Sequence, residues 1–274
     1  MTPRFDRLPE RARIAASLAR KAFHQWLDTP SGVSPTPIFV LGCQRSGTTM
    51  LIDTLMRAPG LWSHPEKSPI AYDNFRLRSA PIVRAITART PAQRVIYKPL
   101  CDSQLGDQLL EEHPDARVFW VVRRWQDVAN SAVVKWGDHQ RDVLQAILEG
   151  RADTVGWRGE RIPSSLVDQL RDVVDTPLTA HAGAVLFWYL RNSFLFTLGL
   201  DRDPRVRLVV YEDLVQQPHD VFPRLFAHVG VPFSPSILAD IHAKSVGRAQ
   251  APEVPPRIAA LADALSERLR ALAG

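Results

Sequence analysis

A three-layer α/β fold, with a central parallel β-sheet flanked by helices, follows from three observations on this 274-residue chain. Short apolar runs at 37–42, 94–98, 116–122 and 206–211 read as buried strands. Helical periods appear near 48–57, 103–113, 126–136, 179–199, 218–229 and 257–272. The two kinds of segment alternate, and strands joined through helices pair in parallel.

Residues 1–35 read as an N-terminal helical extension. Within it, 9–27 is amphipathic, with Leu18, Ala22, Phe23 and Trp26 on one side, a face expected to pack on the main domain. The first thirty residues are Arg-rich and lack the apolar centre of a signal peptide. Residues 36–274 then form a single α/β domain.

The most informative stretch is PIFVLGCQRSGTTMLIDTLMR, residues 37–57. A strand feeds a Gly-bounded loop, and the loop opens a helix at Thr48. The first free amides of that helix and its positive dipole end then face one spot beyond the strand, a seat for a phosphate-like anion. Gly42 and Gly47 have the spacing of the nucleotide triphosphatase loop G-x-x-x-x-G-K-[ST], so the fold is P-loop-like. Thr48 stands where that loop has its lysine, and the cation sits instead at Arg45. This suits a phosphate-bearing nucleotide but departs from the pattern for ATP with magnesium.

The strand at 94–98 delivers Lys98 at its carboxyl end. The run ARVFWVV, 116–122, ends at Arg123, and Asp127 and Ser131 follow at four and eight residues. In a helix over 126–136 both lie on one face, with Lys135 a further turn along as a third contact. Arg123 can offer a fork of donors to a phosphate dianion, and a Ser hydroxyl adds one more. Residues 137–178, rich in charge, Gly and Pro, fit neither period and read as a lid or acceptor-specificity insertion, shaping the site together with 61–92. Residues 206–214, VRLVVYEDL, place Tyr211 at a strand end, with Glu212 and Asp213 capping the next helix. Residues 244–257 form a basic loop before the last helix. Ligands of such sheets bind beyond the carboxyl ends of the strands, so Arg45, Lys98, Arg123 and Tyr211 converge on one crevice.

Arg45-Ser46-Gly47-Thr48-Thr49 resembles the 5′-phosphosulfate loop of sulfotransferases that use 3′-phosphoadenosine 5′-phosphosulfate (PAPS). Arg123, Asp127 and Ser131 match that family's R-x-x-x-D-x-x-x-S, whose Arg and Ser hold the 3′-phosphate. The resemblance covers most of the chain. It implies PAPS as donor, 3′,5′-ADP as product, and sulfuryl transfer to a hydroxyl or amine. Arg45, Ser46, Gly47, Thr48 and Thr49 would hold the 5′-phosphate, and Lys98 would assist its departure. In the cytosolic aryl and steroid enzymes a K-T-H triplet stands where this chain has Lys98-Pro99-Leu100, so the histidine base is missing. Glu66 is the implied base, at the place where protein-tyrosine, bacterial and carbohydrate relatives carry a catalytic Glu; His64 is its rival. Tyr211 belongs to a Y-E-x-L strand end, and Lys244, Ser245 and Arg248 lie where relatives close over the nucleotide. The R-K-G signature of the cytosolic enzymes is absent, and Arg124-Trp125 replaces the usual Asp-Pro.

The transferred group carries less charge than a phosphoryl group, so no metal is expected. Two cysteines, Cys43 and Cys101, supply neither a disulfide framework nor metal-ligand spacing. A net charge of +5 favours anionic ligands but is too mild to argue for nucleic acid. No apolar stretch is long enough to cross a membrane, and a cytoplasmic location is expected. The acceptor is left open among small molecules, glycans, lipids and peptides. Two other readings stay on the table: an ATP-dependent small-molecule kinase with an altered loop, and a non-catalytic nucleotide-binding module.

Overall fold

The computed structural model describes residues 34–239 and 250–273. The helix expected at 9–27 and the contacts expected from Lys244, Ser245 and Arg248 lie outside the described residues. A five-stranded, all-parallel sheet forms the centre: β1 (Thr36–Gly42), β2 (Leu61–Ser63), β5 (Arg94–Tyr97), β6 (Arg117–Val122) and β7 (Val206–Val210). Their order across the sheet is β2-β5-β1-β6-β7. Between β2 and β5, β3 (Tyr72–Asp73) and β4 (Arg76–Leu77) make a small antiparallel hairpin.

Side chains alternate between the two faces, as a strand period of two requires. Phe39, Leu41, Val95, Tyr97, Val118, Trp120 and Val122 join one core cluster. Ile38, Val40, Ile96, Phe119, Val121 and Val209 join the other. Helices cover both faces, which is why the strands read as continuous apolar runs. The second face is covered by α1 (Thr48–Leu55) and by α9 (Pro218–Val229), which follows the short α8 (Tyr211–Gln216). On the first face lie α2 (Ala80–Arg89), α3 (Gly106–Glu112), α4 (Trp125–Trp136) and α7 (Ala180–Thr197). Every residue of α7 from Ala182 to Leu195 is buried, so this helix shows no polar stripe. The final helix, α10 (Pro256–Ala271), packs on α7 and is tied down where Trp125 Nε1 donates to Asp263 Oδ1 at 2.7 Å.

The segment 137–178 is not loop. It holds α5 (His139–Leu148), a 3₁₀ turn (Ala152–Gly159) and α6 (Ser164–Asp172). Its apolar side chains, Val143, Leu144 and Ile147 on α5 and Leu166 and Leu170 on α6, are sparse but correctly spaced for a buried stripe. The dense charge around them masked the period. Among the described residues no helix is long and apolar enough to cross a membrane.

Candidate active site

All five sheet strands send a loop to the same edge. β1 leads to the Arg45 loop, β2 to Glu66, β5 to Lys98, β6 to Arg123 and β7 to Tyr211. Beyond that edge lies a cavity of about 1420 Å³, lined among others by Arg45, Gly47, Thr48, Thr49, Glu66, Lys98, Arg123 and Ser131.

The loop between β1 and α1 makes its turn with Arg45 at φ 69° and Gly47 at φ 85°, both left-handed. Gly47 is the residue before the first helical turn, and Leu51 N already donates to its carbonyl at 3.2 Å. The first amides of α1 have no partner within the helix and open toward the cavity. Ser46 is fully buried beneath the turn, its Oγ without a hydrogen-bond partner among the described residues. Ser46 therefore shapes the loop from below, whereas its four predicted companions face the cavity. Cys43 is likewise fully buried, and burial pushes its thiol up to about 12, so it is inert packing.

The two predicted anion seats touch. Arg45 Nε donates to Ser131 Oγ at 2.9 Å, joining the β1–α1 loop to α4. A second link runs underneath. The Tyr211 ring lies against Gly47, where an added Cβ would fall 2.1 Å from Cδ2. The Arg123 guanidinium lies over that same ring, 4.6 Å from its centroid. Arg123 also pairs with the buried Asp127 carboxylate at 3.6 Å, and its carbonyl accepts from Trp188 Nε1 at 3.0 Å. The first turn of α4 therefore fixes the guanidinium at the cavity floor.

Lys98 Nζ forms an ion pair with Glu66 Oε2 at 2.9 Å and reaches Thr49 Oγ1 at 3.4 Å. Its backbone N–H donates to Tyr72 Oη at 2.7 Å, fixing where the side chain departs. His64 turns away from this group. Its ring stacks on Tyr97, and Nε2 sits 3.3 Å from Thr90 Oγ1. Burial lowers its pKa, and it does not line the cavity.

Two expectations fare differently in the structure. Lys135 is solvent-exposed and absent from the cavity wall, where Trp136 stands instead, 5.9 Å from the Arg45 guanidinium. Two four-residue steps from Asp127 rotate a helical position by about 80°, enough to carry Lys135 off the shared face. Glu212 does not serve mainly as a cap for its own helix. Its Oε1 accepts from Arg124 N at 3.1 Å, bracing the turn that presents Arg123, and burial pushes this carboxyl up.

Sequence reasoning missed a polar wall on the other side of the cavity. Arg76 pairs with Asp102 and, at 2.8 Å, with Glu160 Oε1. Glu160 Oε2 accepts from Gln104 Nε2 at 2.8 Å, and Gln104 Oε1 accepts from Arg191 Nη1 at 3.0 Å. Arg191 is fully buried in α7, and burial lowers it to about 10. A charge inside the run AVLFWYLRNSFLF was the one signal that could have pointed there.

A family model described as the sulfotransferase domain matches residues 35–248. Among solved structures, the sulfotransferase domain of the Synechococcus PCC 7002 olefin synthase superposes with a TM-score of 0.54 at 18% identity, covering 87% of this chain and 98% of that one. The sulfotransferase domain from the curacin biosynthetic pathway gives 0.53 at 17%, covering 85% and 98%. A sulfotransferase from Alicyclobacillus acidocaldarius gives 0.52 at 15%, covering 88% and 96%. At these identities the likeness is one of fold. No curated protein matches.

Proposed function

The chain belongs to the sulfotransferase domain family, and from that premise we propose that it transfers a sulfuryl group from PAPS to a hydroxyl or amine, releasing 3′,5′-ADP. One observation carries the donor assignment: two anion seats, at Arg45 and at Arg123, share one cavity and are joined through Ser131 and the Tyr211 ring. A ligand bearing phosphate at both ends of an adenosine fits such a pair. Its 5′-phosphosulfate supplies the sulfuryl group, and the Arg123 and Ser131 side receives its 3′-phosphate. Arg45, Thr48, Thr49 and the first amides of α1 neutralise the charge that grows on the 5′-phosphate.

Glu66 is the proposed base. It accepts the acceptor's hydroxyl proton as the new O–S bond forms, while the old bond between sulfur and the phosphate oxygen breaks with its electrons remaining on the 5′-phosphate. Lys98, hydrogen-bonded to Thr49 and paired with Glu66, stands between the base and the leaving group. It can shift its charge toward the phosphate as Glu66 takes up the proton. This in-line transfer is proposed without a metal, since guanidinium, ammonium and amide groups cover the developing charge. A cytoplasmic setting is proposed with it, in keeping with the unpaired thiols of Cys43 and Cys101.

The acceptor would occupy the part of the cavity walled by the 137–178 segment and by the hairpin turn at Asn74 and Phe75. At about 1420 Å³ the cavity exceeds the roughly 300–1,000 Å³ usual for one ligand, leaving room for a second.

Thermal unfolding tests the donor. 3′,5′-ADP at one hundred times its Kd should add about 2.7 kcal/mol of apparent stability, whereas ATP with magnesium should add far less. The reverse order would favour a kinase. Binding of 3′,5′-ADP without labelled product across a broad acceptor panel would favour a binding module.

Gly47→Ala should remove the 3′,5′-ADP shift. The residue sits at φ 85°, and its new Cβ would meet the Tyr211 ring at 2.1 Å, so the ring must move and take the Arg123 contact with it. The left-handed backbone adds a cost of about 1–2 kcal/mol, read as a lower Tm of the free protein. Unchanged 3′,5′-ADP affinity in this variant would refute the role of the ring.

A further inference from the structure

The cavity is lined by Arg45, Arg76, Arg123, Arg151 and Arg158. Arg76 is held by Asp102 and Glu160, Arg123 by Asp127, and Arg151 by Glu149. Arg45, in the proposed 5′-phosphate seat, donates to Ser131. Arg158 is the exception: half-buried, it has no carboxylate and no hydrogen-bond acceptor among the described residues. Its guanidinium lies over the face of Trp157, 4.4 Å from the ring centroid.

Its position is nonetheless built. Gly159 closes the 3₁₀ turn so tightly that an added Cβ would fall 1.9 Å from the Ala152 carbonyl oxygen. On one side of Arg158, Trp157 packs edge-on against Phe187 and under the buried Arg191 guanidinium. On the other, Glu160 is clamped by Arg76 and Gln104. The guanidinium is thus presented from two fixed points. It acts on His139, lowering its pKa after the effect of burial, and both line the cavity. Cys101, Glu66 and Arg158 all line the same cavity.

A half-buried guanidinium with no counter-charge is costly, and its presence in a cavity wall points to a ligand that supplies one. The lining nearby mixes the polar His139, Gln140, Asp142 and Thr154 with an apolar set, Val143, Ala146, Val155 and Phe187, and Phe75 also lines the cavity. Phe75 is 45% exposed at φ 66°, a conformation a bulky residue rarely holds, and the hairpin turn keeps it at the cavity mouth.

We propose that the acceptor is an amphipathic hydroxyl compound carrying an anionic oxyacid group of its own, which pairs with Arg158 while its apolar body lies along the α5 and Phe75 wall. This rests on the sulfotransferase reading and narrows its acceptor class. A fork of donors stacked on Trp157 suits a planar carboxylate or a sulfate.

The test uses the full chain saturated with 3′,5′-ADP and matched pairs of hydroxylated probes, 3-(4-hydroxyphenyl)propanoate with its amide and 12-hydroxydodecanoate with its amide. Calorimetry should give at least one carboxylate binding roughly 10- to 100-fold more tightly than its amide, the worth of a charge-assisted pair. Arg158→Gln should erase that preference while leaving 3′,5′-ADP affinity unchanged, and Arg158→Lys should restore part of it. Equal binding of acid and amide, no binding by any carboxylate, or a preference that survives Arg158→Gln overturns the proposal. Failure of 3′,5′-ADP itself to bind would instead strike the donor reading, so the two failures are separable.

Discussion

Glu66→Gln should lower the rate of sulfuryl transfer by roughly 10²–10⁴-fold, the usual worth of a general base, with little change in 3′,5′-ADP affinity. The substitution keeps the size of the side chain and one acceptor oxygen, so the cavity wall is preserved. It removes the group that can accept the proton. Lys98 then loses its carboxylate partner and retains only the 3.4 Å contact with Thr49, which leaves its charge free for the phosphate side. Binding and chemistry should therefore separate: affinity is held or slightly improved, while single turnover with labelled PAPS slows. Rates near those of the unaltered protein would assign proton removal to another group. His64 is poorly placed to be that group, with its ring between Tyr97 and Thr90 and a pKa that burial lowers.

Arg123→Ala should weaken 3′,5′-ADP binding by roughly 10- to 100-fold, the loss of hydrogen bonds to a charged ligand at 1.4 kcal/mol per decade. The loss should be selective. 5′-AMP, which has no 3′-phosphate, should bind the variant and the unaltered protein almost equally. Stability should fall as well, because Asp127 is buried and its carboxylate would lose a cation 3.6 Å away. Arg123→Lys is the control, keeping the charge for Asp127 but giving up the planar fork. An equal loss of 5′-AMP and 3′,5′-ADP affinity would show general damage instead of a 3′-phosphate seat.

What the chain reveals unaided follows from how its parts interact. The β1–α1 loop is legible because glycine spacing and a basic residue after an apolar strand have few other uses. β5, β6 and β7 are legible because a parallel strand buried on both faces leaves an unbroken apolar run. β2 is three residues long, and the β3–β4 hairpin pairs two residues on each side, too short for any period to appear. In α5 and α6 the buried stripe is narrow and set among charges that answer to solvent. The site divides in the same way. Arg45, Lys98 and Arg123 stand just beyond strands that can be read, and topology brings them together; Glu66 follows the short β2, and only the family resemblance points to it. Glu160 and Glu212 owe their places to long-range partners, Arg76 and Gln104 for the first and the Arg124 amide for the second, and sequence-local patterns carry no trace of these. Lys135 illustrates the opposite error, a local pattern extended one turn too far.

The single aromatic ring shared by Gly47 and Arg123 acts as a spacer of fixed thickness. Neither proposed anion seat can slide without displacing that ring, so the span between them is set by covalent geometry and not by loop flexibility. On the proposed donor reading the pocket is a rigid calliper, and a nucleotide whose charges are spaced differently would forgo one jaw.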